Sequence, residues 1–76
     1  MAMTFTTWLK AQARRDDPVG DLAKDMMQDS AWPTRASSYE RFRNHLTTKG
    51  ACRDAHEALR DAWREWLLAR AESEAL

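Results

Sequence analysis

Seventy-six residues carrying twelve Lys+Arg against twelve Asp+Glu make one domain without the overall positive field that draws a protein to nucleic acid or anionic lipid. A hydrophobic fraction of 43%, with four Trp, two Phe and one Tyr, supplies enough large apolar surface for one core and excludes disorder over most of the chain. The single cysteine, Cys52, excludes an internal disulfide and a cysteine metal cluster, and it points to a reducing, cytoplasmic setting.

No apolar run approaches the roughly 18 residues of a membrane span, and the first ten residues lack the zones of a signal peptide. Arg well above Lys, with abundant Ala, reads as a high-GC bacterial genome or its phage. Two Gly and two Pro among few β-branched residues predict an all-α chain. Four helices are expected in one domain over residues 1–76, with the core at about 3–70.

The first runs from about Phe5 to Arg15. Phe5, Trp8, Leu9 and Ala13 share a face, Thr4 can cap the start, and Met3 can staple against Trp8. The second opens at Asp17, whose side chain can accept an early helix N–H, with Pro18 at the first helical position. Val19, Leu22, Ala23 and Met26 cluster on one side, and Asp17, Asp21 and Asp25 lie opposite. Asp29 drifts toward the buried edge. Gly20 would let a bulky neighbour such as a Trp approach the backbone, and the helix must stop before Trp32 because of Pro33.

In "SSYERF", Ser37 and Glu40 have the spacing of a capping box. Tyr39, Phe42 and Leu46 form the buried edge of the third helix, and Gly50 suits the left-handed turn that ends it. The fourth and longest runs from about Cys52 to Ala71. Ala55, Leu59, Ala62 and Trp66 make its stripe, Trp63 and Leu67 widen it, and the pairs Arg53–Glu57 and Asp61–Arg64 support its surface. The final residues, 71–76, are expected to fray. Packing against this helix must hold the shorter ones, giving a compact four-helix bundle with the aromatics inside.

Together "TFTTWL" (Thr4 to Leu9), "RDDPVGDLAKDMMQDSAWP" (Arg15 to Pro33), "SSYERF" (Ser37 to Phe42) and "HEALRDAWREW" (His56 to Trp66) resemble the YozE-like family of small bacterial proteins. The motif order is specific: an aromatic-rich first helix, the Asp17–Ala23 segment, Asp29 before Trp32-Pro33, Ser38-Tyr39-Glu40, and Ala62-Trp63 with Trp66. Phe42-Arg43 and an Arg-rich surface depart from the family pattern. The resemblance covers roughly Met3 to Leu67. It implies a compact SAM-like bundle and no settled chemistry, with nucleic-acid binding suggested for the family and protein interaction natural for a SAM-like module.

Like charges at i,i+4 cost a few tenths of a kcal/mol each, so the ladder Asp17, Asp21, Asp25, Asp29 needs reasons. Asp17 caps, Asp21 lies near the favourable end of the helix dipole, and Asp29 can bond the backbone before Trp32-Pro33. Asp25 has no such reason. A line of carboxylates does not converge on a cation, so no metal is expected. A basic partner surface is the sharper alternative to a solvated face. In SAM-like domains pairing can be head to tail, which here would set Asp21 and Asp25 against Arg53 of another copy.

The candidate phosphate contacts are Lys10, Arg14 and Arg15 on the first helix and Arg41 and Arg43 on the third, provided those helix ends lie side by side. Trp8, Trp63 and Trp66 fall on core stripes, and Trp32 suits a plug over the end of the bundle. His45 and His56 lack partners at metal-ligand spacing, and Cys52 is expected as a small buried thiol. No catalytic residue, cofactor or small-molecule ligand is predicted, and a bundle this small has little scope for an enclosed pocket. The expected role is a non-enzymatic interaction module that binds a protein or its own kind, with nucleic-acid binding as the alternative.

Overall fold

The structure, a computed structural model, describes residues 3–74. Four helices follow one another: α1 (Phe5–Lys10), α2 (Pro18–Met27), α3 (Tyr39–Thr48) and α4 (Arg53–Glu74). α4 is the longest at 22 residues, and the other three helices are arranged around it.

Thr4 caps α1 as expected, its hydroxyl accepting the Thr7 N–H at 3.2 Å. The helix is shorter than its composition suggests. From Ala11 to Ala13 each N–H bonds three residues back, to Trp8, Leu9 and Lys10, and this tightening ends the α-helix before Arg15. The turn brings Arg15 against the start of α2, where a Cβ added to Gly20 would meet the Arg15 carbonyl oxygen at 2.0 Å. Gly20 therefore admits a backbone, not the bulky side chain expected of it.

The start of α2 follows the sequence. Asp17 Oδ1 accepts the Gly20 N–H at 2.8 Å, Pro18 occupies the first turn, and Val19, Leu22, Ala23 and Met26 are buried. At the other end Asp29 Oδ1 accepts the Ala31 N–H at 3.0 Å, the expected stop before Trp32-Pro33.

α3 is capped by Ser38, not Ser37. Ser38 Oγ accepts the Arg41 N–H at 3.4 Å. Ala36 packs on the core and donates its N–H to the Pro33 carbonyl, which keeps Ser37 in the linker. The far end is a Schellman motif: the Ala51 N–H reaches Leu46, the Gly50 N–H reaches Thr47, and Gly50 takes φ 72°.

α4 begins one residue later than expected, with the Cys52 carbonyl accepting from Ala55 and His56. Cys52 is exposed, which corrects the buried thiol: the residue precedes the first helical position, ahead of the packed stripe. Ala58, Leu59, Ala62 and Trp66 form that stripe, whereas Leu67 is 44% exposed because the bundle ends near Trp66. The Arg53–Glu57 pair forms at 3.4 Å, but Asp61 lies nearest Arg60, at 4.0 Å, and not Arg64. The helix continues to Glu74, beyond the expected fraying point at 71, and residues 75 and 76 lie outside the described residues.

The aromatics form one cluster. Phe5 is centred 5.0 Å from Phe42, 5.1 Å from Trp63 and 5.8 Å from Trp66. Trp32 stacks on Phe42 at 5.3 Å, closing the bundle as the expected plug. Full burial of Phe5, Phe42, Leu9 and Leu59 contributes about 1.5–3 kcal/mol per side chain. Met3 is 52% exposed instead of stapling on Trp8. Its carbonyl accepts the Trp66 Nε1–H at 2.9 Å. Thr6 is buried as well, and its hydroxyl accepts the Trp32 Nε1–H at 3.0 Å. No buried side-chain polar atom among the described residues lacks a partner.

Candidate functional site

Where α2 and the first half of α4 pack together they leave an open groove of about 360 Å³. Leu22, Ala55 and Ala58 line its apolar part, and five carboxylates surround them: Asp21 and Asp25 from α2, and Asp54, Glu57 and Asp61 from α4. The arrangement follows from the two helix patterns. Asp21 and Asp25 lie one turn apart on the exposed flank of α2 beside Leu22, and Asp54, Glu57 and Asp61 recur at helical spacing along the matching flank of α4.

Few cations balance these acids. Asp21 has Lys24 at 3.9 Å, Glu57 has Arg53 at 3.4 Å and Asp61 has Arg60 at 4.0 Å, all exposed pairs worth about 0–1 kcal/mol. The carboxylates of Asp25 and Asp54 have no ion-pair or hydrogen-bond partner among the described residues. Asp25 also borders a second depression of about 380 Å³ that shares Leu22 and Ala55 and runs to Asp29 and Lys49. No group of three or more His, Cys, Asp or Glu among the described residues is arranged to hold a metal ion.

The sequence-predicted residues are redistributed by this geometry. Asp21 and Asp25 face the groove as a pair. Arg53, expected on a surface that a neighbour's acids would meet, is flanked by two residues that line the same groove, Cys52 and Asp54. The expected acidic and basic partners thus sit at one end of α4. The sequence pattern shows only the α2 half of the groove, because Asp54, Glu57 and Asp61 join the ladder through tertiary packing.

Arg15 is committed elsewhere. Its guanidinium makes a two-pronged contact with Glu65, at 2.8 and 3.1 Å, and its Nε–H donates to Asp17 at 2.9 Å. The two carboxylates hold its pKa above the ordinary arginine value, Glu65 contributing more than Asp17. Asp17 is in turn lowered, first by the Gly20 N–H and then by Arg15. Lys10, Arg14, Arg41 and Arg43 are exposed, and none forms an ion pair with a described residue. The backbones of α1 and α3 are not adjacent; the two helices meet through the Phe5 and Phe42 rings.

Asp29 has a role that the ladder concealed. Its side chain is only 8% exposed. It accepts from His45 Nε2 at 2.6 Å and from Lys49 at 3.0 Å, which ties the end of α2 to α3. Those two donors, His45 foremost, lower its pKa to about 2. His45 also stands edge-on to Trp32, 5.6 Å between ring centres. The i,i+4 spacing of His45 and Lys49 was the available signal, since both then lie on one face of α3.

No helix of the described residues is long and apolar enough to cross a membrane. No curated protein matches the chain, nor does any solved structure. The model of one family, described as having a YozE SAM-like fold, matches residues 4–67. That span holds the aromatic cluster, both walls of the acidic groove and the Asp29 bridge, and by it the chain belongs to the YozE SAM-like family.

Proposed function

We propose that the chain is a non-enzymatic interaction module that receives a cationic, amphipathic segment of a protein in the groove between α2 and α4. The observation that carries the proposal is the set of five carboxylates around an apolar floor, two of them without a cation. Aliphatic side chains of a partner would cover Leu22, Ala55 and Ala58, and its Lys or Arg groups would relieve the repulsion along α2. Complementary charge of this kind orients and speeds encounter more than it deepens affinity. An exposed, unpaired thiol at Cys52 fits a reducing, cytoplasmic setting.

The test is a fluorescence-anisotropy titration with a labelled helical peptide of Arg and Leu, unrelated in sequence to this chain. Binding is expected at low ionic strength, weakening as salt rises, and disappearing in Asp21→Lys/Asp25→Lys. Equal binding by the reversed variant overturns the proposal.

A second reading is nucleic-acid binding, favoured by the four exposed cations Lys10, Arg14, Arg41 and Arg43 that no described carboxylate neutralises. Phosphate-dominated binding would fall steeply with salt. Titration with duplex and single-stranded DNA decides it, and no binding at low salt removes it.

A further inference from the structure

The outward face of α4 beyond the groove is a second unpartnered surface. Arg60, Arg64, Leu67, Leu68 and Ala71 fall at i, i+4, i+7, i+8 and i+11, one stripe of a helix, and all are exposed. Leu67 and Leu68 are 44% and 61% exposed, adjacent, and bordered by guanidinium groups. Single exposed leucines are ordinary, but an apolar pair inside a basic stripe is a surface suited to covering. Arg64 forms no ion pair with a described residue, and Arg60 has only its loose 4.0 Å contact with Asp61.

We infer that this stripe docks into the acidic groove of a second copy, reciprocally, in a closed two-fold dimer built on antiparallel α4 helices. The inference rests on the groove as a receptor for a cationic segment, and it adds which molecule supplies that segment. Charge complementarity carries it. The stripe presents what the groove lacks: guanidinium groups for Asp25, Asp54 and their neighbours, and leucines for the floor of Leu22, Ala55 and Ala58.

The placement of the two surfaces on α4 sets the symmetry. Groove and stripe occupy neighbouring flanks of the helix, with centres about ten residues, or about 15 Å, apart along its axis. Two α4 helices approaching antiparallel bring each stripe opposite the other copy's groove. One contact then generates its mate, and association stops at two.

Light scattering across a concentration series at low ionic strength tests this. The mass should rise from one chain to two and no further, and return to one at high salt. Asp21→Lys/Asp25→Lys and Arg64→Glu, each checked for native helicity, should dimerise at least about tenfold more weakly alone, because like charges then face each other. An equimolar mixture of the two should dimerise again, since every reversed surface meets a complementary one. Leu68→Glu provides an independent stripe variant with the same expected loss.

A wild-type chain that stays monomeric at every concentration overturns the inference, and so does a groove variant that still dimerises, since the leucines would then be pairing with each other. A monomeric wild type that still binds the unrelated Arg/Leu peptide removes this inference alone. Absence of both dimer and peptide binding removes the groove reading with it.

Discussion

Replacing Gly20 by alanine sets two effects of opposite sign against each other. Alanine is the better helix former by about 0.5–1 kcal/mol, so on propensity alone Gly20→Ala stabilises α2. The new Cβ, however, would stand 2.0 Å from the Arg15 carbonyl oxygen, 2.7 Å from its carbon and 3.0 Å from its Cβ. Two of these three atoms are backbone, so the strain cannot be relieved by turning a side chain. The segment carrying Arg15 must move, against its contacts with Asp17 and Glu65. Overpacking of this kind costs about 1–3 kcal/mol, and disturbing the Asp17 cap on the Gly20 N–H adds about 1 kcal/mol. The net expectation is a loss of about 2 kcal/mol. For a chain of this size that lowers Tm by about 8–16 °C, readable by thermal unfolding followed by circular dichroism. An unchanged or higher Tm in Gly20→Ala would refute the close approach of the two backbone segments.

Two further expectations concern buried polar contacts. Trp32→Phe leaves the buried Thr6 hydroxyl without its donor and should cost about 1–3 kcal/mol beyond the lost packing. Adding Thr6→Val should recover part of that cost in chemical denaturation, and purely additive effects would show that the bond contributes nothing. The Asp29 carboxylate, facing His45 and Lys49, is lowered from 3.8 to about 2. Its contribution to stability is therefore complete above about pH 4 and is lost as pH falls through about 2. Urea midpoints should decline over that window in the wild type and change less in Asp29→Asn, which should also be the less stable protein at neutral pH. Parallel profiles for the two proteins would exclude the Asp29 bridge as a source of acid sensitivity.

Sequence reasoning succeeded where the deciding groups are chain neighbours and faltered where distant segments decide. Asp17, Pro18 and Gly20 lie within four positions, and both the cap and the start of α2 could be read from them. Gly50 likewise marked the end of α3. The end of α1 had no local signal, because Ala11 to Arg14 are acceptable helical residues and the stop comes from the approach of α2. Ser37 and Ser38 are equally able to cap, and the packing of Ala36 against the core chooses between them. Cys52 is exposed against the expectation, because the general burial of cysteine says nothing of a residue one position ahead of a helix. Of the acidic groove, the α2 half was legible as a ladder of like charge, and the α4 half came only with the docking of the two helices. Thr6 gave no warning of its role, since an indole 26 residues away is what makes its burial possible.

The two indole hydrogen bonds bear on the order in which this protein can be made. α1 has six residues, far too few to persist alone in water. Its segment is held by Trp32 through Thr6 and by Trp66 through Met3, across sequence separations of 26 and 63. A chain leaves the ribosome N-terminal end first, so the α1 segment can meet α2 and Trp32 early but waits for the turn of α4 that carries Trp66. Helices α2 and α3 can be complete by then, but they too lack their main neighbour until α4 follows. The bundle therefore closes only once α4 has been synthesised, the α1 segment and α4 meeting in its final step.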